Sequence, residues 1–180
     1  SRHVWRGVSV VDVVSVQPSL TVPFDSTGTS FNVWGQIPVQ SSTWATGHPT
    51  EYDFTLSQEV GDYGTVNVTS YFYSNATTKL LDIDDHDVEV GFETSYAGAD
   101  FYVGRFVKSA TVEGDTYAQV SYPLFGFDTV VGVGDGVYTE SNDFGVVNVA
   151  FSYGNDDGYG ASLIYNPDVE RTYFVVSKAW

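Results

Sequence analysis

Acidic side chains recur at alternate positions in two short stretches of the chain. Glu51 and Asp53 begin the first stretch, and Asp87, Glu89 and Glu93 form the second. Because successive side chains of an extended strand point to opposite faces, this spacing places the carboxylates of each stretch on one face. Rings of carboxylates favour cations where they line a water-filled path. The acidic set predicted to face such a path comprises Glu51, Asp53, Asp87, Glu89, Glu93 and Asp128.

Apolar side chains occupy the positions between these acids. Charged groups on a lipid-facing surface near the bilayer midplane are strongly destabilising. If one face of these segments meets lipid, it must therefore be the apolar face, and the carboxylates must point inward. The residues predicted to face lipid are Phe54, Leu56, Val88, Val90, Phe92, Val147, Val149 and Phe151.

The charge balance restricts the partners of the chain. Its 23 acidic residues against 7 Lys and Arg give a formal net charge of −16. Nothing in such a chain would replace the counterions of a nucleic acid, so binding to a phosphate backbone is not expected. Arg6 and Arg105 are predicted to be inward basic partners of the carboxylates, but the bases are too few to neutralise all the acids. Two interpretations of the acidic residues therefore stay open: a cation-selective surface, or polar packing with no role in selectivity.

Catalysis and cofactor binding are not expected. The histidines are His3, His48 and His86, and no Gly-x-Ser-x-Gly motif surrounds a serine. The chain has no cysteine, phosphate loop or dinucleotide-binding motif. The acidic run at 82–86 is interpreted as a solvated loop rather than a metal site. No enzyme activity, cofactor or metal is therefore predicted.

Period-2 alternation runs through most of the chain and predicts strands rather than helices. Connections between the strands tend to alternate between short and long, which is typical of a meander of hairpins. No uninterrupted apolar run approaches the ~20 residues of a membrane helix. The predicted strands are 3–10, 15–24, 30–40, 51–59, 65–73, 86–96, 100–108, 116–124, 127–138, 144–153, 159–165 and 171–180.

These elements predict one all-β domain over residues 1–180, a closed antiparallel up-and-down transmembrane β-barrel of about twelve strands. A soluble β-sandwich or soluble barrel also alternates, with its apolar face inward. Strand lengths near the 9–11 residues that cross a bilayer favour the membrane. Aromatic residues at strand ends, such as Phe24, Tyr96, Tyr153 and the final Trp180, also favour it.

Several strings, in order along most of the chain, resemble the TorF-like family of small outer-membrane porins. They are Trp5-Arg6-Gly7-Val8-Ser9, Ser15-Val16-Gln17-Pro18-Ser19-Leu20, Val33-Trp34-Gly35, Glu51-Tyr52-Asp53, Tyr71-Phe72-Tyr73 and the segment 117–124. Two positions depart from the family pattern. Gln36 stands where a small residue is expected, and Lys178 falls on the same face of the last strand as Trp180, where apolar residues are expected. A designed barrel nanopore on the same pattern is an open alternative, which the absence of Met and Cys favours.

The resemblance implies a bacterial outer-membrane protein, or one in a synthetic membrane if designed. Its partners would be the lipid bilayer, small solutes or ions and, for a natural protein, the barrel-assembly machinery. The function expected is passive diffusion of small solutes, with cations preferred through an acidic lumen. Two alternatives stay open: a soluble barrel or sandwich that binds an apolar ligand, and a structural barrel with a plugged lumen.

Overall fold

The computed structural model describes residues 3–11, 13–24, 26–39, 50–74, 77–109 and 111–179, and these residues are all-β with three single 3₁₀ turns. Valine, tyrosine, phenylalanine and threonine dominate the segments, as expected for pleated, half-buried surfaces. The strands are β1 His3–Trp5, β2 Val8–Val11, β3 Ser15–Val16, β4 Ser19–Phe24, β5 Thr29–Pro38, β6 Thr50–Glu59, β7 Thr65–Ser74, β8 His86–Tyr96, β9 Ala99–Lys108, β10 Thr116–Leu124, β11 Phe127–Gly134, β12 Gly145–Gly154, β13 Tyr159–Asn166 and β14 Arg171–Lys178.

Twelve of these strands form one antiparallel sheet in which neighbours in space are neighbours in sequence. The order runs from β14 down to β5, and β5 then pairs with both β3 and β4. β3 and β4 are two pieces of one edge, separated at Gln17 and Pro18. Proline cannot donate to a ladder, so an edge is where the sheet tolerates it. The meander predicted from the alternating connections is confirmed.

The first predicted strand, 3–10, is instead a hairpin of two short strands. β1 pairs with β2 in a separate two-stranded sheet, with Trp5 opposite Val8. The turn between them is Arg6-Gly7, and both residues have positive φ, 50° and 82°. A two-residue turn with both φ values positive matches the twist of the flanking strands, and glycine suits its second position. We call residues 3–11 the N-terminal hairpin.

Closure into a barrel is not observed. In the described part of the chain, the sheet path ends at β14 on one side and at β3 and β4 on the other, with no ladder joining these edges. In a closed barrel of twelve strands the predicted strand 3–10 would lie between these edges, but residues 3–11 form the N-terminal hairpin instead. Its backbone groups pair with each other, so no continuous first strand is present to extend either edge.

The chain divides into two compact units. Unit 1 comprises 1–12, 95–103 and 115–180, and unit 2 comprises 13–94 and 104–114. The core of unit 1 contains Tyr117, Tyr138, Val147 and Tyr173, whereas unit 2 buries Tyr71, Phe72 and Phe106. Polar side chains are also buried in both units: Asn148 and Asn166 in unit 1, and the ionisable Glu51, His86 and Glu89 in unit 2.

Candidate functional site

The exposed face of unit 1 is apolar across neighbouring strands. Phe151 of β12 lies opposite Leu163 of β13, which lies opposite Phe174 of β14. All three side chains are exposed, Leu163 by 49% and Phe174 by 67%. Contiguous apolar surface of this kind marks contact with a partner or a membrane rather than with water.

Unit 2 repeats this arrangement on other strands. Leu56 of β6 lies opposite Val68 of β7, and Val68 lies opposite Val90 of β8. All three side chains are exposed. The opposite face of the same strands carries the polar residues: Thr55 shares a hydrogen bond of 3.0 Å with Thr69, which lies opposite Glu89. Polarity is therefore inverted relative to a water-soluble sheet, because the buried face is polar and the exposed face is apolar.

Aromatic side chains mark the strand ends at the short turns. The turns at 60–64, 97–98, 125–126 and 155–158 follow alternate strands of the meander. Tyrosine and phenylalanine rings at such positions are typical of the interface between lipid and water. The exposed aromatic residues in or beside these turns are Tyr63, Tyr96, Phe125, Phe127, Tyr153 and Tyr159, and Phe24 ends β4 at the connection to β5.

The inward face of unit 2 holds a buried group of carboxylates. Glu51 and Glu89 are buried, Glu89 to 1% exposure, and both lie within electrostatic range of Asp53. The Tyr71 hydroxyl donates a hydrogen bond of 2.6 Å to Glu89 Oε2, and Glu51 is hydrogen-bonded to Tyr73. Asp53 lies opposite Tyr71 in the ladder. β6, β7 and β8 thus bring three of the predicted acids together.

Gln36 of β5 adds an amide to this acidic group, because it lies opposite Glu51 in the ladder. Its side chain is fully buried. Within the described residues, the Gln36 amide, Glu51 Oε2 and Asp53 Oδ1 have no hydrogen-bond partner. Buried polar atoms in folded proteins are nearly always paired with protein or water. This face therefore suits a polar or cationic guest.

The remaining predicted acids have different surroundings. Asp87 is half-buried opposite Tyr71, and Glu93 is exposed opposite Thr65 near the other end of β8. Asp128 is exposed in unit 1, beside the 125–126 turn. Among the predicted acidic set, only Glu51, Asp53 and Glu89, with Asp87 at its margin, are therefore brought together.

The two predicted basic partners differ in position. Arg105 is exposed on β9 and shares the parity of the exposed Val103 and Val107, so it lies on the apolar face rather than among the carboxylates. Arg6 is half-buried in unit 1 at the turn of the N-terminal hairpin. Its Nη1 donates a hydrogen bond of 2.8 Å to the Tyr138 hydroxyl.

Seven of the eight residues predicted to face lipid are exposed or half-buried on the apolar face: Phe54, Leu56, Val88, Val90, Phe92, Val149 and Phe151. Val147 differs, because its side chain is fully buried. A bulge in β12 explains the difference. Gly132 lies opposite Asn148 and Val133 opposite Val146, so Val147 is the extra residue and Val146 takes the exposed position.

The histidines and the acidic loop have local structural roles where they are described. His86 is buried, with Nδ1 2.7 Å from Ser70 Oγ and Nε2 3.0 Å from the Leu80 carbonyl oxygen. In the loop, Asp82 accepts from the Asp84 amide and Asp84 forms an ion pair of 3.4 Å with Lys108. His48 and Trp180 lie outside the described residues, as does the side chain of His3.

Sequence reasoning did not identify the aromatic surroundings of Arg6. Tyr102, Tyr117 and Tyr138 come from distant parts of the chain, and no local pattern links them to the hairpin. The one sequence signal for Tyr117 is the alternation along β10, which places it on the face opposite the exposed Tyr122 and Leu124.

Among the residues that the structure describes, no helix is long and apolar enough to cross a membrane.

The described ranges contain no group of three or more His, Asp or Glu side chains arranged to hold a metal ion. No protein-family model, curated protein or solved structure matches the chain.

Proposed function

We propose that the protein is a membrane-embedded β-barrel of the outer-membrane type that lets small solutes diffuse passively and prefers cations. The observation that carries this proposal is the inverted polarity of the sheet, with exposed apolar rows such as Leu56, Val68 and Val90 backing a buried Glu89. A hydrocarbon solvent stabilises this arrangement, whereas water penalises it, at about 25 cal/mol per Å² of exposed apolar surface.

Barrel closure is part of the proposal. Hydrocarbon cannot satisfy unpaired backbone groups, so a sheet that spans a bilayer must pair its edges. β6, β7 and β12 have ten residues each and β8 has eleven, which matches the 9–11 residues of a tilted spanning strand. The TorF-like resemblance gives the same architecture, with the outer membrane as location and the barrel-assembly machinery as partner.

The cation preference rests on the carboxylates of unit 2. Asp53 lies within electrostatic range of both Glu51 and Glu89. β6 and β8 are separated only by β7, so their inward side chains are roughly 10 Å apart, about one Debye length at 0.1 M salt. Their fields therefore reinforce one another at moderate ionic strength and are screened at high salt. Selectivity for cations should fall as the salt concentration rises.

Planar-bilayer recording of the detergent-refolded chain tests this function. The triple variant Asp53→Asn, Asp87→Asn, Glu89→Gln should move the reversal potential in a salt gradient toward zero. A matched control removes the same charge from the exposed turns, as Asp62→Asn, Asp156→Asn, Asp157→Asn, and should leave the reversal potential close to that of the parent protein. An unchanged reversal potential in the first variant contradicts the acidic lining.

A second candidate function is a structural barrel with a plugged lumen, and the N-terminal hairpin favours it. The hairpin packs against inward-facing residues of unit 1: Asn166 donates from Nδ2 to the Gly7 carbonyl oxygen at 3.3 Å, and Arg6 bonds Tyr138. Protein that is folded in lipid but carries no current would support this candidate. A stable monomer in plain buffer would contradict both and favour the soluble binding module.

A further inference from the structure

The guanidinium of Arg6 lies in a cage of four aromatic rings. Its Cζ is 4.4 Å from the ring centroid of Trp5, 4.6 Å from Tyr117, 4.9 Å from Tyr102 and 6.0 Å from Tyr138. All four distances fall within the roughly 6 Å over which a cation is attracted to the face of a ring. We call Trp5, Tyr102, Tyr117 and Tyr138 the aromatic cage.

Three rings of the aromatic cage are held in place by contacts with one another and with neighbouring side chains. Tyr117 and Tyr138 are fully buried, and their ring centroids are 5.3 Å apart. Tyr117 is fixed by two further hydrogen bonds, because its hydroxyl donates to Gln119 Oε1 at 2.9 Å and accepts from Asn148 Nδ2 at 3.2 Å. The ring of Trp5 packs against that of Tyr138 at an interplanar angle of 43°, with centroids 5.5 Å apart. The rings of Trp5, Tyr117 and Tyr138 are therefore positioned by contacts other than those with Arg6.

A cage of this kind attracts a cation through its ring faces, so a free cation can make the same contacts as the Arg6 side chain. Several ring faces and one hydroxyl acceptor suit a planar guanidinium or a small quaternary ammonium ion. The strong net negative charge of the chain would also raise the local concentration of such cations.

We propose that the aromatic cage is a binding site for small organic cations of the guanidinium class, which Arg6 occupies as a tethered internal ligand. A free guanidinium compound then competes with Arg6, and its binding becomes measurable when the Arg6 side chain is removed. This inference concerns unit 1 alone and does not depend on whether the protein conducts ions.

The test measures methylguanidinium binding to the detergent-refolded full chain by saturation-transfer NMR. Arg6→Asn removes the guanidinium and places a residue that tolerates positive φ at the first position of the turn, so the hairpin is retained. This variant should bind methylguanidinium, whereas the parent protein should show little binding. Methylurea, which is planar but neutral, should bind neither protein.

Two further variants make the result specific. Adding Tyr102→Leu to Arg6→Asn removes one ring and should weaken methylguanidinium binding by roughly 3- to 30-fold. Arg171→Asn removes an exposed arginine of β14 and should leave the ligand signal at the parent level. If Arg6→Asn does not fold, Tyr138→Phe serves instead: it keeps the ring, loses the hydrogen bond to Arg6, and should bind more than the parent protein.

Three results would overturn the proposal. The first is a variant shown by circular dichroism to be folded that binds no methylguanidinium. The second is equal binding of methylurea, which would indicate a site that does not depend on charge. The third is equal gain of binding in Arg171→Asn, which would indicate nonspecific attraction to an acidic protein.

Discussion

Gly7 and Gly126 provide a matched test of how the N-terminal hairpin is docked. Each is the second residue of a two-residue turn, with φ of 82° and 83°. A Cβ built on Gly7 would overlap the carbonyl oxygen of Val147, whereas a Cβ on Gly126 would meet nothing within 4 Å. Alanine at either position incurs the same backbone strain, about 1–2 kcal/mol for an L-residue in the left-handed region. Only Gly7→Ala adds a steric clash.

The difference between the two variants isolates that clash. Overpacking in a well-packed site costs typically about 1–3 kcal/mol, so Gly7→Ala should lower the free energy of unfolding by that much more than Gly126→Ala. The assay is reversible urea unfolding of the detergent-refolded protein, followed by tryptophan fluorescence, with both variants measured under the same conditions. Equal losses in the two variants would show that the hairpin does not contact β12 as described.

Two more predictions concern the two faces of the sheet. Leu163→Arg on the apolar face should impair folding into lipid vesicles, at about 2–4 kcal/mol if the residue is near the midplane, while Ser141→Arg in an exposed connection should not. Equal refolding yields would contradict the lipid-facing assignment. Tyr71→Phe removes a hydrogen bond to the buried Glu89 and should cost about 1.5–3 kcal/mol in urea unfolding, against little change for the exposed Tyr165→Phe. Similar midpoints for these two variants would show that the buried hydrogen bond contributes little.

Strand positions were predictable because side-chain alternation has a period of two and most connections interrupt it. β6 and β8 lie within one residue of the segments predicted from Glu51–Asp53 and Asp87–Glu93. The hairpin was missed because its turn has only two residues, Arg6-Gly7, which is too short to interrupt the run of strand-forming residues on either side. Residues 3–10 therefore have the pattern of one continuous strand although they form two.

The facing of single residues was harder to predict where a bulge shifts the phase. Val146 and Val147 are both apolar, so the sequence does not indicate which of them is the extra residue in β12. The acidic group was predictable in part, because Glu51, Asp53 and Glu89 follow the alternation of two nearby strands. The aromatic cage was not predictable, since its rings meet Arg6 only through long-range packing that no local spacing reports.

The docking of the hairpin has a consequence for the order in which the chain folds. Apart from the pairing of β3 with β5, the ladders of the meander join strands that follow one another in sequence. Each of these ladders can therefore form by closing a short loop. The hydrogen bond from Asn166 to Gly7, by contrast, spans 159 residues. The hairpin is the first element in the chain, yet its docking surface includes β13. Its docking can therefore be completed only after β13 has formed, and a chain truncated before β13 would lack the donor of this hydrogen bond.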